Sequence, residues 1–146
     1  MKPQDFFTEE QKTQIENSIF ESEKQTSGEI RLHIDRKCKG NVLDEAVLIF
    51  KKLKMDSTEL RNGVLLYLSI EDRKFAIIGD QGINTVVPTD FWDTIYKTIV
   101  QYFKQEQYAE GLSWAIMEAG KQLQQYFPIS KDDINELSNE ISYTDE

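Results

Sequence analysis

Apolar and polar residues alternate along this chain with two different periods, and the switches between them mark out its elements. Thr8-Glu9-Glu10-Gln11 is a capping box, a hydroxyl followed three residues later by a glutamine, and it opens a first helix. Ile15 and Ile19 stand four apart on one face of that helix, and Ser27-Gly28 closes it. So thin an apolar stripe predicts a helix on the surface of the domain. From Glu29 to Asp35 the period falls to two, with Ile30, Leu32 and Ile34 on one side, as in a half-buried strand. Asn41 caps the next helix, and Asp44 and Glu45 occupy its positive first turn. Leu43, Ala46, Val47, Phe50 and Leu53 keep helical spacing along it, and Lys51, Lys52 and Lys54 suit its negative end.

The run from Gly63 to Ile70 is almost unbroken in its apolar character, which predicts a central strand covered on both faces. A short polar break, Glu71-Asp72-Arg73, separates it from Lys74-Phe75-Ala76-Ile77-Ile78, so the two form an antiparallel hairpin. Thr89 or Asp90 caps a helix carrying Trp92, Ile95, Tyr96, Ile99 and Phe103, an aromatic stripe expected in the core. Tyr108 opens the last helix, with Leu112, Ala115, Ile116, Ala119 and Leu123 on one face, and Pro128 stops it.

The order is therefore helix-strand-helix-strand-strand-helix-helix. A strand-helix-strand unit makes the first two strands parallel, with a right-handed crossover, and the third runs back along the second. This is an α/β fold, a three-layer sandwich in which a small mixed β-sheet is flanked by helices. The domain spans residues 1–128. Residues 129–146 read as an acidic, largely mobile tail, with one docked turn at Ile134 or Leu137.

A chain of 146 residues suits one domain, and 39% apolar with 29% charged residues excludes collagen-like and largely disordered classes. The net charge is −9, of which −5 falls in residues 128–146. A negative chain without a clustered basic face is not built to grip phosphate backbones, which excludes nucleic acid as a partner. A wholly apolar run such as Val64–Leu68, five residues long and unsurpassed in the chain, is far too short to span a bilayer. The single cysteine, Cys38, cannot form an internal disulfide or a zinc cluster, and no signal-peptide pattern follows Met1; both point to a cytoplasmic protein. Cys38 lies among Arg36, Lys37 and Lys39, as an exposed loop thiol does, and His33, the only histidine, reads as structural.

The topology makes a prediction about place. Ser27-Gly28-Glu29 begins the first strand, Arg61-Asn62-Gly63 begins the second, and Gly79-Asp80-Gln81-Gly82 ends the antiparallel third. All three segments should meet at one rim of the sheet. There Glu29, Arg61, Asn62, Asp80 and the backbone around Gly82 could hold a divalent cation through oxygen ligands, or an anion through Arg61 and N–H groups. The alternative is that glycines simply end strands and that Arg61 pairs with Glu29 or Asp80 on the surface. The opposite rim, with Asp35, Arg36, Lys37, Lys39, Glu71, Asp72 and Arg73, reads as solvated loop.

Taken together, Thr26-Ser-Gly-Glu-Ile30, Met55 to Thr58, Arg61-Asn-Gly-Val-Leu-Leu66, Arg73 to Gly82, and Phe103 through Tyr108, Gly111 and Leu112 resemble the TPM-domain family. That family includes thylakoid-lumen phosphatase-like proteins, photosystem II repair factors and an auxiliary protein of nematode acetylcholine receptors. The order and spacing of these pieces carry the resemblance, over about residues 8 to 127. Gly79-Asp80-Gln81-Gly82-Ile83, Phe91-Trp92 and Asn135-Glu136-Leu137 are similar to the short, stand-alone, soluble bacterial members. The resemblance implies an α/β sandwich, a calcium site and weak acid-phosphatase activity attributed to some plant relatives. Many longer relatives read Gly-x-Gly-Leu-Glu with an Asp a few residues later, where this chain has Gly79-Asp80-Gln81-Gly82-Ile83-Asn84 with Thr89 and Asp90 near the later acid. An amide, Asn84, thus replaces their glutamate, and an acid stands earlier, at Asp80. A Ca2+ or Mg2+ ion carried over from those relatives would take Asp80, Glu29 and Asn84 as ligands.

Two functions stay open. One is an accessory or binding module that takes a cation at the rim and acts through a protein partner, membrane-associated by resemblance, with an exposed Tyr126 or Tyr143 as a contact. The other is a metal-assisted phosphatase in which Asp80 and Glu29 hold the cation and Arg61 the phosphate; no catalytic base or nucleophile is identified for it.

Overall fold

A computed structural model describes residues 1–129 and 137–144. Helix α1 (Glu9–Glu23) starts on the capping box, with Gln11 N–H donating to Thr8 Oγ1 and Thr8 N–H to Gln11 Oε1. Strand β1 (Glu29–Asp35) follows, then α2 (Val42–Lys52), capped by Asn41 Oδ1, which accepts from the N–H groups of Leu43 and Asp44. A 3-10 turn at Met55–Ser57 leads into β2 (Gly63–Ser69), which turns back as β3 (Lys74–Gly79). A single helical turn, α3 (Gln81–Asn84), precedes the paired helices α4 (Asp93–Lys104) and α5 (Tyr108–Leu123), and a short strand β4 (Ser142–Tyr143) ends the described chain.

The sheet order is β3-β2-β1-β4. β1 and β2 are parallel, with Glu29 opposite Gly63; β2 and β3 are antiparallel, with Val64 opposite Gly79. One face carries Ile30, Leu32, Ile34, Leu66, Leu68 and Ile77 into the larger core beneath α1, α4 and α5. The other carries Leu65, Tyr67 and Ala76 against Phe50, Ile49 and Met55. The three layers follow from this division. Gly120 of α5 lets α1 come close: a Cβ there would lie 2.6 Å from Ser22 Cβ. Among the described residues, no helix is long and apolar enough to cross a membrane.

Several expectations are corrected. β1 is buried on both faces, because α2 and the segment at 137–144 cover its polar side; Glu29, His33 and Asp35 are 4–5% exposed. β4 is a strand that the pattern did not announce, pairing with β1 at His33 and Ile34. Leu137 is half-buried, whereas Ile134, Asn135 and Glu136 lie outside the described residues. α4 starts at Asp93, not at Thr89 or Asp90, since Phe91 N–H bonds Pro88 O and Asp93 N–H bonds Asp90 O in turns that delay it. α5 ends at Leu123, before Pro128, which instead bridges to Thr26. Tyr96 of the aromatic stripe is 43% exposed. Cys38 is buried, and that burial pushes its thiol pKa up. Nor is the second rim merely solvated: Asp35 accepts from Tyr67 OH at 2.8 Å, and Asp72 accepts from Cys38 N–H and Ser69 Oγ. Tyr126 and Tyr143 are both half-buried, Tyr126 edge-on to Phe91.

Candidate functional site

The three strand-end segments do meet. Glu29 N–H donates to Asn62 O at 3.3 Å, Gly82 N–H to Arg61 O at 2.9 Å, and Asp80 N–H to Gly63 O at 2.9 Å. The last of these extends the antiparallel ladder by one residue, so Asp80 stands beside Gly63 and points to the α2 face. Arg61 sits in the left-handed region, with φ 51°, which swings its guanidinium back over Asp80. The pair is bidentate: Nε to Oδ2 at 2.9 Å and Nη2 to Oδ1 at 3.0 Å. Asp80 is 6% exposed at its side chain and Arg61 45%, so one partner is fixed and the other faces water. Asp80 Oδ1 also caps α3, accepting from Gln81 N–H at 2.7 Å. Of the two pairings open to Arg61, Asp80 is the one formed.

Beside this fork lies a cleft of about 450 Å³. Val47 and Phe50 of α2 and Ile78 of β3 form its apolar wall, and Arg61, Asp80 and Asn84 its polar one. Asn84 is exposed and spends its amide N–H on Gly79 O at 3.1 Å. Gly82 is tucked under the Leu60–Arg61 backbone.

Glu29 and Asn62 lie apart from that cleft. Glu29 is on β1 and Asp80 beyond β3, with Gly63 of β2 between them, so their Cα atoms are roughly 10 Å apart at two strand spacings. Met55 fills the space over Gly63: a Cβ built there would meet Met55 O at 3.2 Å and its Cε at 3.6 Å. Glu29 Oε1 instead accepts from Leu137 N–H at 2.7 Å. Asn62 is 2% exposed, and its Nδ2 has no hydrogen-bond partner among the described residues.

For a divalent cation, then, the donors do not converge as arranged. Asp80 turns both oxygens to Arg61, Glu29 is held on the other side of Met55, and Asn84 stands with Asp80 alone. Among the described residues, no group of three acids, histidines or cysteines is placed to hold a metal.

Sequence reasoning missed Glu23. Its Oε2 accepts from Ile30 N–H at 2.8 Å, and burial, with the nearby charge of Glu29, pushes its pKa up to about 8. A signal existed, since an acid in the last turn of a helix opposes the macrodipole and needs another reason to be there. Leu137 was expected as a docked turn of the tail but not as a partner of Glu29, and for Met55 no pattern in the sequence announced a role.

A sequence model of the TPM domain matches residues 1–122. Among solved structures, the NMR structure of the BA42 protein from the psychrophilic bacterium Bizionia argentinensis is 48% identical, with a TM-score of 0.91 over 96% of this chain and 97% of that one. The N-terminal domain of a protein from P. gingivalis, also solved by NMR, has a TM-score of 0.68 at 17% identity, covering 84% of this chain and 80% of its own, and shares the fold. No curated protein matches the chain.

Proposed function

The chain belongs to the TPM-domain family, and from that premise we propose that it is an accessory binding module acting through a protein partner. The observation that carries this reading is the outer surface of α2. Helical spacing assigns Leu43 and Val47 to the core stripe, yet they are 54% and 43% exposed, and Leu48 beside them is 61% exposed. The sheet needs only Ala46, Ile49 and Phe50 from this helix. Apolar side chains in excess of what the fold covers, placed next to a cleft, are a property of contact surfaces. Val47 joins this surface to the Arg61–Asp80 cleft, so a partner's polar group can meet the guanidinium while its apolar part lies on α2.

A cytoplasmic setting goes with this reading, and a partner at the membrane surface is compatible with it. The hydrolase reading requires Asp80 to leave Arg61 and Glu29 to pass Met55, and nothing in the arrangement favours it.

The test places a photo-crosslinking amino acid at position 47 and identifies the adduct formed in cells by mass spectrometry. One defined adduct, lost in Leu43→Asp with the fold intact by circular dichroism, is the expected result. Calcium- or magnesium-dependent turnover of p-nitrophenyl phosphate that vanishes in Arg61→Ala would overturn the proposal in favour of hydrolysis.

A further inference from the structure

The two edges of the sheet are finished differently. Beyond β1 the chain closes its own edge with β4, whereas nothing among the described residues pairs with the outer edge of β3. The bond from Asp80 N–H to Gly63 O sets the phase of the ladder. Ile78, Ala76 and Lys74 turn their backbone groups to β2, and Gly79, Ile77 and Phe75 turn theirs outward. Asn84 takes the carbonyl of Gly79. The N–H and C=O groups of Phe75 and Ile77 are left without a partner among the described residues, a template for one more strand.

This edge is recessed. Phe75 and Ile77 are only 5% and 7% exposed, on the floor of a cleft of about 270 Å³. Leu43 of α2 forms one wall, and Trp92 and Tyr96 the other. A helix spends its backbone N–H and C=O groups on itself and has none along its length to offer this edge. A second copy of this chain would bring its own α2 and α4 against these walls. An extended segment fits.

Charge defines the segment further. At the hairpin end the cleft runs into a hollow of about 340 Å³ that shares Phe75 and Tyr96 and carries Arg73, Lys74 and Lys104. Lys74 stands 3.9 Å from Asp72, while Arg73 and Lys104 make no ion pair among the described residues. Arg73 and Lys104 are thus two cations free to meet an acidic side chain at this mouth, while Asp93 lines the far part of the cleft.

We propose that the outer edge of β3 takes one extended segment of a partner protein, a segment that alternates apolar side chains and carries acidic residues where it passes the hairpin. The proposal rests on the binding-module reading and names the chemistry of the partner.

The experiment titrates the 15N-labelled full chain with a blocked peptide of about ten residues, a pair of glutamates followed by alternating valine and serine, and with its lysine counterpart. The glutamate peptide should shift the amides of Phe75 and Ile77, slow their hydrogen exchange about tenfold, and bind about tenfold more tightly than the lysine peptide. Arg73→Glu with Lys104→Glu should invert that preference. Shifts confined to α2 or to the Arg61 cleft would overturn edge docking while leaving the binding module standing. Equal affinity for both peptides, or no shift at millimolar peptide, would overturn the proposal as well. The crosslinking experiment reads the binding module separately.

Discussion

Gly82 shows how little room the rim leaves. A Cβ there would lie 2.2 Å from the carbonyl oxygen of Leu60 and 2.6 Å from that of Arg61, and both obstacles are backbone. Gly82→Ala is therefore expected to cost about 3 kcal/mol, read as a lowered urea midpoint. Gly40 is the control: it has open space around it and a φ of 100°, so its replacement by alanine should cost only about 1 kcal/mol of backbone strain. Equal midpoints would mean that the Leu60–Arg61 segment yields. Of the candidate residues, the strand ends Arg61, Asp80 and Gly82 were legible in the sequence because topology alone brings them to one rim. Which acid Arg61 would take was not, since that depends on the left-handed φ at Arg61 and on Met55 standing over Gly63.

At the scale of elements, the capped helices were the easiest to read. Thr8 and Asn41 signal their helix starts by local hydrogen bonding, which needs no tertiary partner. The one-turn α3 and two-residue β4 are shorter than any period can reveal, and both depend on contacts made elsewhere in the fold. β4 nonetheless controls β1. His33 is held between Ser142 Oγ and Thr144 Oγ1, each at 2.8 Å, and stacks on Tyr67 with the ring planes 7° apart. Ile141 is 7% exposed against the larger core. Ending the chain at residue 136 should thus cost about 2–4 kcal/mol, from the exposure of Ile141 and the loss of these bonds. It should also return the His33 pKa, which burial holds down at about 4, toward the ordinary 6.5. A proton NMR titration of the histidine ring reads this directly, and an unchanged low pKa would show that the segment does not shield His33.

The whole molecule answers pH through two groups of opposite sign. His33 has a folded pKa depressed from 6.5 to about 4, so the unfolded chain takes the proton first and stability falls as pH drops through that window. The effect is about 3 kcal/mol when complete. Glu23 has a folded pKa raised from 4.5 to about 8, so the folded chain keeps the proton longer and stability falls as pH rises through that window. Between about pH 4.5 and 6.5 the two contributions oppose each other, so stability should be nearly flat there and fall as pH rises from 6.5 to 8. Glu23→Gln should remove that alkaline fall and uncover the His33 rise between pH 4 and 6.5. Urea midpoints across both windows measure both limbs; an alkaline limb that persists in Glu23→Gln belongs to another group. The three-layer plan was readable from the sequence, since periods of two and 3.6 divide the chain correctly and the short hairpin fixes strand direction. The burial of both acids and of His33 was not, because the cover over β1 comes from a distant part of the chain.

That distance has a consequence for the order of synthesis. His33 and Ser142 are separated by 109 positions. On the ribosome β1 is made early, and the partners that Glu29 and His33 find in Leu137, Ser142 and Thr144 emerge only near the end of synthesis. The edge of β1 is thus closed by the last of the described strands to be made, while the edge of β3 is left open by the finished fold.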